Sequence, residues 1–222
     1  QYGSLLIFDE VVTGFRIGLS GAQGYFGVDP DLTVFGKIIA GGYPGAGGVG
    51  GHADCMAHLG AGLDSSGKKV PKAMCGGTMA ATPISCAAGY YTLCEIERTN
   101  ACETAGRMGD RLTCGLQLLI KKYNLPFVAF NQGSICHLDN AGTMHFCIDW
   151  KKPWTIPEIL KQTGIRQKEM EHMGAAYMAE GIVTLAGSRL YTSAAYTEEM
   201  IDDVLSRFDR VFVNCGPLEV QG

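Results

Sequence analysis

The first apolar run of the chain, Leu5-Leu6-Ile7-Phe8, stops on Asp9-Glu10, and a second, Val34-Phe35, stops on Gly36-Lys37. Short apolar runs bounded by charge or turn residues predict strands buried on both faces, as in a parallel sheet. Pro30-Asp31-Leu32-Thr33 turns the chain into the second strand. Gly45 to Gly51 is too glycine-rich for the interior of a regular element. Ala53 to Leu59 predicts a short helix with Asp54 in its first turn, and Gly60 to Lys72 a polar, mobile loop. Thr82-Pro83 reads as an N-cap followed by proline at the first helical position, opening a helix that runs to Arg98. Thr99-Asn100 breaks it. A second helix to Tyr123 carries Met108, Leu112, Leu116 and Leu119 on one stripe, and Asn124 and Pro126 stop it.

Beyond that point Phe127 to Phe130, Ser134 to Leu138 and Thr143 to Asp149 predict strands, separated by Asn131-Gln132-Gly133 and Asn140-Ala141-Gly142. Ile165 to Glu180 is helical by pattern, and Ile182 to Leu185 predicts a short strand. Thr197 caps a final helix, with Glu198 and Glu199 favourably placed against its N-terminal dipole. Its apolar face is Met200, Ile201, Val204, Leu205, Phe208, Val211 and Phe212. Strands alternating with helices over residues 1–98 give the α/β pattern. Residues 99–222 then form a connecting helix and a smaller α+β C-terminal domain.

The 222 residues, 46% of them apolar, suit a globular protein of one or two domains. A net charge of −4 leaves no footprint for nucleic acid or an anionic membrane. No apolar run approaches the roughly 20 residues of a membrane span. The N-terminus, Gln1-Tyr2-Gly3-Ser4, is not a leader, so the expected location is cytoplasmic. Nine cysteines are dispersed singly, without a C-x-x-C pair. They predict buried thiols in a reducing cytosol rather than a disulfide framework. Neither they nor the five histidines have the spacing of a zinc site, so no metal is expected. A strand that starts four residues in, with no initiating Met, predicts a fold that begins upstream.

In open α/β sheets ligands lie just beyond the carboxyl ends of the strands, which is where Asp9 and Lys37 fall. One carboxylate and one amine meeting at a cleft is the pair that pyridoxal phosphate requires. The lysine forms a Schiff base with the aldehyde, and the acid keeps the ring nitrogen protonated. Singly, each residue has a plainer reading, as a cap or turn aspartate and a solvated lysine. The pairing at successive strand ends, with Gly36 opening the backbone to a bulky ligand, favours the site. A competing pattern, Gly45-Ala46-Gly47-Gly48-Val49-Gly50, satisfies G-x-G-x-x-G. The dinucleotide fingerprint needs a strand before it and a helix opening on it. Pro44 precedes this one, Gly51-His52 follow, and Asp64 sits in a polar loop, so that reading is set aside. Arg16 and Arg189 are candidates for a bidentate hold on a substrate carboxylate, against ordinary ion pairing. Tyr25 and Tyr43 are candidates to line a pocket, against packing. His52 and His58 read as polar surface or cap residues.

Leu6-Ile7-Phe8-Asp9-Glu10-Val11-Val12-Thr13-Gly14-Phe15-Arg16, then Gly27-Val28-x-Pro30-Asp31, then Gly36-Lys37-Ile38-Ile39-x-Gly41-Gly42-x-Pro44, then Gly77-Thr78, resembles the class III aminotransferases. Within them it is most similar to the glutamate-1-semialdehyde aminomutase branch. Tyr191-Thr192-Ser193-Ala194-Ala195-Tyr196-Thr197-Glu198-Glu199 fits the closing segment more loosely. The resemblance implies a fold-type-I transferase with pyridoxal 5′-phosphate as cofactor, the chain supplying the C-terminal part of the large parallel-sheet domain and the small domain. It gives Asp9 to the pyridine nitrogen, Val11 to the ring face and Lys37 to the Schiff base. Thr78 is given to the cofactor phosphate of the neighbouring subunit in a homodimer. The implied reaction moves an amino group from an amine donor to a keto or aldehyde acceptor; an intramolecular aminomutase is the alternative, and a non-catalytic scaffold relative a remote one that needs neither Asp9 nor Lys37. Two departures stand out. Val12 occupies a position where many class III enzymes carry Gln, although the aminomutase branch is apolar there, and Ala81-Thr82 replace the usual Gly-Asn. The family's phosphate-cupping turn and ring-stacking aromatic lie upstream of Leu5, so a preceding segment or a second chain is expected to complete the site.

Overall fold

The structure, a computed structural model, describes residues 3–140 and 156–215 except 61, 75, 79 and 186, and leaves aside the side chains of 156–166 and 169. The chain divides into two compact units, Gln1–Glu103 and Thr104–Gly222.

In the first unit β1 (Ile7–Asp9) pairs in parallel with β2 (Leu32–Phe35), placing Asp9 opposite Val34. The connection between them carries the short helix α1 (Gly21–Phe26). A 3-10 helix, Lys37–Ala40, follows β2 directly. β3 (Gly48–Gly51) then adds to β2 antiparallel, giving the order β1-β2-β3. The second half of the glycine run expected to be irregular, residues 48–51, is therefore a strand, while 45–47 are irregular as expected. The reason is steric: a Cβ on Gly51 would sit 2.3 Å from the Asp31 carbonyl oxygen, so only glycine lets β3 lie this close. Among the described residues β1 pairs with β2 alone, and within this chain Leu5, Leu6 and Ile7 are exposed rather than covered on both faces.

After the one-turn helix α2 (Ala53–Met56), the stretch expected to be a mobile loop is tied by hydrogen bonds. Asp64 Oδ1 accepts from the Ser66 amide, the Ser66 hydroxyl and the Lys68 amide, while Asp54 accepts from the Ser65 amide. Short acidic side chains make such turns by bonding backbone a few residues ahead. Helix α3 (Pro83–Arg98) starts where proline at its first position predicts. The Thr82 hydroxyl donates to Ser85 Oγ at 2.7 Å, and the buried Ser85 hydroxyl donates to the Pro44 carbonyl at 2.6 Å.

The second unit takes most of α4 (Ala101–Lys122), whose end is set by Asn124 at φ +50° and a Leu125 amide bond to the Ile120 carbonyl. β4 (Val128–Gln132), β5 (Ile135–Asp139) and β6 (Arg189–Tyr191) form an antiparallel sheet in that order. α5 (Ile156–Ala179) begins nine residues earlier than the pattern predicts, with Pro157 in its first turn. Ile182 to Leu185 is not a strand. The Ile182 amide is spent on the Tyr177 carbonyl, closing α5 behind Gly181 at φ +76°, and Leu185 makes only an isolated bridge to Arg189. The expected strand 143–149 lies outside the described residues.

Helix α6 (Glu198–Phe212) is capped by Thr197, whose side chain accepts from the Met200 amide. Its apolar face packs as its spacing predicts, except for exposed Met200. Leu112, Leu116, Leu138, Tyr177, Ile201, Phe208 and Phe212 form the centre of one continuous core, with Met108 and Leu119 against it. Among the described residues no helix is long and apolar enough to cross a membrane.

Candidate active site

Parallel pairing of β1 with β2 puts the ends of both strands on one edge of the sheet, and that edge carries Asp9 and Lys37. Successive strand residues point to opposite faces. Asp9 is exposed, whereas Glu10 beside it is 2% exposed, so the acidic pair divides between solvent and interior. The Asp9 carboxylate accepts the Val11 amide at 3.0 Å. The Val11 side chain lies against Gly36, where a Cβ would come within 3.1 Å of Val11 Cγ1. Val11 thus links the two strand ends, touching Asp9 through its amide and the residue before Lys37 through its side chain.

Lys37 itself sits at φ +50°, a left-handed backbone that an ordinary side chain enters at a cost of order 1–3 kcal/mol. Such a conformation persists only where the surroundings over-determine it. Here α3 supplies the constraint. A Cβ on Gly89 would fall 1.9 Å from the Ile39 carbonyl oxygen, and one on Gly41 would fall 2.5 Å from the Ala88 carbonyl carbon. Helix and lysine turn are therefore in backbone contact, with Gly89 and Ala40 both buried. Lys37 is exposed at the surface of this seat.

The buried Glu10 carboxylate accepts the Thr13 hydroxyl at 2.6 Å and the Gln23 amide at 3.2 Å. It fills the space a side chain on Gly21 would need, at 2.6 Å from that position. Ser20, the residue in front of α1, makes no side-chain cap, so Glu10 bonds the first turn in its place. Between Thr13 and α1 the chain passes through Phe15 at φ +60° and half-buried Arg16. The Phe15 carbonyl accepts from Cys102 Sγ at 3.1 Å. Sequence reasoning missed both Glu10 and Gly89. Strand alternation held the signal for the first, since Asp9 and Glu10 cannot face the same way. An isolated glycine inside a helical pattern held it for the second.

The remaining candidates are dispersed. Tyr25 is exposed at the end of α1, edge-on to Phe26 with centroids 4.9 Å apart, and Tyr43 is exposed after the lysine turn. Thr78 is exposed in a turn closed by an Ala80 amide bond to the Gly77 carbonyl, where neither Gly76 nor Gly77 has backbone crowding on it. His58 bonds the Pro71 carbonyl through Nδ1, and His52 is exposed in front of α2. Arg189 belongs to the second unit, on β6 opposite His137, which stacks on Phe130 at 4.8 Å. Partial burial, helped by the charge of Arg189, holds the His137 imidazole below its ordinary value, with Asp139 opposing. The glycine pattern 45–50 runs into an antiparallel strand and opens no helix of its own, so it makes no phosphate loop.

The sequence matches the model of the family described as aminotransferase class-III over residues 1–208. The chain belongs to the class III aminotransferases. It is 36% identical over 214 residues to glutamate-1-semialdehyde 2,1-aminomutase 1 of Macrococcus caseolyticus, covering 94% of this chain and 44% of that protein. It is 34% identical over 212 residues to the glutamate-1-semialdehyde 2,1-aminomutase of Pyrobaculum islandicum, covering 96% and 46%. These relatives place it in the aminomutase-like branch. The chain spans less than half the length of each. Among solved structures it superposes on an omega-transaminase from Sphaerobacter thermophilus with a TM-score of 0.75 at 25% identity, covering 96% of this chain and 44% of that one. A glutamate-1-semialdehyde aminomutase from Pseudomonas aeruginosa shares the fold, with a TM-score of 0.68 at 20% identity and coverage of 94% and 44%. The fold is that of the C-terminal part of a fold-type-I class III enzyme, and the family's cofactor is pyridoxal phosphate. The strand-end acid and the amine are the donor types that this cofactor requires, while the space beside Gly36 is taken by Val11.

Proposed function

We propose that this chain is the catalytic C-terminal part of a pyridoxal-phosphate enzyme that returns an amino group to the carbon skeleton it came from. The reading rests on Val11 joining Asp9 to the residue before Lys37. Two aminomutase relatives at 34–36% identity and the apolar Val12 favour the intramolecular form. When bound, pyridoxal phosphate supplies a protonated heteroaromatic ring that accepts the electron pair left by a departing substrate proton.

Lys37 holds the cofactor through its amine. With the cofactor bound, the freed Lys37 Nζ would take a proton from the substrate carbon as base and return one as acid. Asp9 holds the proton on the ring nitrogen, so that a fixed carboxylate opposes the positive charge and keeps the ring electron-poor. Val11 is a stiff, branched wall against one ring face. Thr78 donates its hydroxyl to the phosphate bound in the neighbouring subunit of a cytoplasmic homodimer. Arg16 and Tyr25 serve the substrate, Arg16 pairing with its carboxylate, and Arg189 is the alternative partner for that carboxylate.

Intermolecular transamination is the second reading, favoured by the likeness to the Sphaerobacter thermophilus transaminase. Two measurements on the full-chain holoenzyme test the proposal. Lys37→Ala abolishes the lysine-linked cofactor absorbance and lowers turnover at least about 10²–10⁴-fold; a retained band assigns the role to another lysine. Wild-type enzyme given glutamate-1-semialdehyde and no second carbonyl compound forms the isomeric amino ketone. Turnover that stops until a keto acceptor is added favours the transaminase.

A further inference from the structure

The buried acid beside Asp9 has no part in the chemistry above, yet it is the most enclosed charged side chain in the first unit among the described residues. Its two accepted bonds come from opposite ends of one loop, the Thr13 hydroxyl at the start and the Gln23 amide within α1. The carboxylate also occupies the volume over Gly21, so the glycine and the acid fit only each other. Its own backbone is fixed independently: the Glu10 amide donates to the Val34 carbonyl at 2.8 Å, and its carbonyl accepts the Gly14 amide at 3.0 Å. Phe15 lies inside the loop so closed, in a left-handed conformation that costs energy without external support.

We propose that Glu10 is a positioning residue: its carboxylate clamps residues 13–26 and so fixes Arg16 and Tyr25 for a carboxylate-bearing amine substrate. The residue type follows from the geometry. An acid at this point serves a hydroxyl and an amide at once, and its two-methylene stem spans from the strand to α1. Gln keeps the shape, accepts the Gln23 amide and donates to Thr13 Oγ1. Asp is too short to reach both. The two neighbouring acids thus have separate tasks, Asp9 toward the cofactor and Glu10 toward the segment carrying the substrate-side residues. The assignment rests on the proposed reading of Arg16 and Tyr25.

The test uses the full-chain holoenzyme with Glu10→Ala, Glu10→Gln and Thr13→Val, and follows three quantities. Amide hydrogen exchange over residues 13–26 is expected to accelerate at least about 10-fold in Glu10→Ala and to stay near wild type in Glu10→Gln. KM for the amine substrate is expected to rise at least about 10-fold in Glu10→Ala while kcat and cofactor affinity stay within about 3-fold, with Glu10→Gln restoring most of the loss. Thr13→Val removes one bond and keeps the shape, so it shows an intermediate change in exchange even where Glu10→Ala does not fold. Unchanged exchange over 13–26 overturns the clamp. A faster-exchanging loop with unchanged KM, or cofactor affinity lost in parallel with KM, overturns the substrate-positioning role. Failure of the functional reading shows separately, as wild-type holoenzyme that turns over no carboxylate-bearing amine while the exchange result stands.

Discussion

Leu116 of α4, Tyr177 of α5 and Phe208 and Phe212 of α6 meet in the second unit with no exposed surface. In the first unit the largest side chains buried to that degree are a carboxylate and a hydroxyl, Glu10 and Ser85. One region is held by a mass of apolar contact, which is non-directional and spread over many residues. The other is held at a few points by hydrogen bonds and by glycine-mediated backbone approach, which are directional and admit little adjustment. The contacts that set Asp9 and Lys37 within this chain are therefore directional ones. Substitutions in the two units should fail in different ways.

The largest expected effect is thermodynamic and belongs to the second unit. Phe208→Ala removes a ring packed edge-on to Tyr177 at 5.0 Å and should destabilise the chain by about 3–5 kcal/mol in chemical denaturation. The molecules that remain folded should keep cofactor affinity. A loss of affinity per folded molecule would show that the units are not separable in this way. Gly89→Ala comes next, with the opposite signature. Overpacking of this kind costs about 1–3 kcal/mol, but the methyl meets the Ile39 carbonyl two residues from Lys37. The cofactor absorbance should weaken or shift out of proportion to the stability change. An unaltered spectrum would show that α3 does not set the lysine.

Two smaller effects sharpen the contrast. Thr197→Ala deletes the α6 cap and should cost about 1 kcal/mol, read as faster exchange in the first turn of α6 only. The smallest is a pH effect at His137. Its folded-state affinity for a proton is lowered by burial and by Arg189, so the unfolded chain binds the proton more readily. Stability should therefore fall on acidification, beginning below the ordinary histidine value of about 6.5, and His137→Gln should flatten that slope. A wild-type slope of opposite sign over that window would place the imidazole in a different setting.

Much of this was legible in the sequence because it lies in local chemistry. Leu112, Leu116 and the α6 stripe follow from helical spacing, and the starts of α3 and α6 from Thr82-Pro83 and Thr197. Asp9 and Lys37 could be set at the ends of neighbouring parallel strands from two apolar runs that stop on charge. What the pattern hid depends on contacts across long separations. The glycines of β3 read as irregular because their crowding comes from Asp31 and Leu32 on another strand. Ile182 to Leu185 has the composition of a strand, but its first amide closes α5 instead. Burial of Glu10 against Gly21 is invisible until β1 and α1 are side by side, and so is the fit of Gly89 against Ile39.

That last fit limits how the first unit can move. With Gly89 pressed on the carbonyl of Ile39 and Gly41 on the backbone of Ala88, α3 cannot slip by a residue along its axis without driving a side chain into main chain on one side or the other. Helix and lysine turn are keyed together like a bolt in its keeper, so any displacement that carries Lys37 must carry all of α3 with it. Adjustment at the amine then falls to its own flexible side chain, while the backbone beneath it behaves as one solid piece.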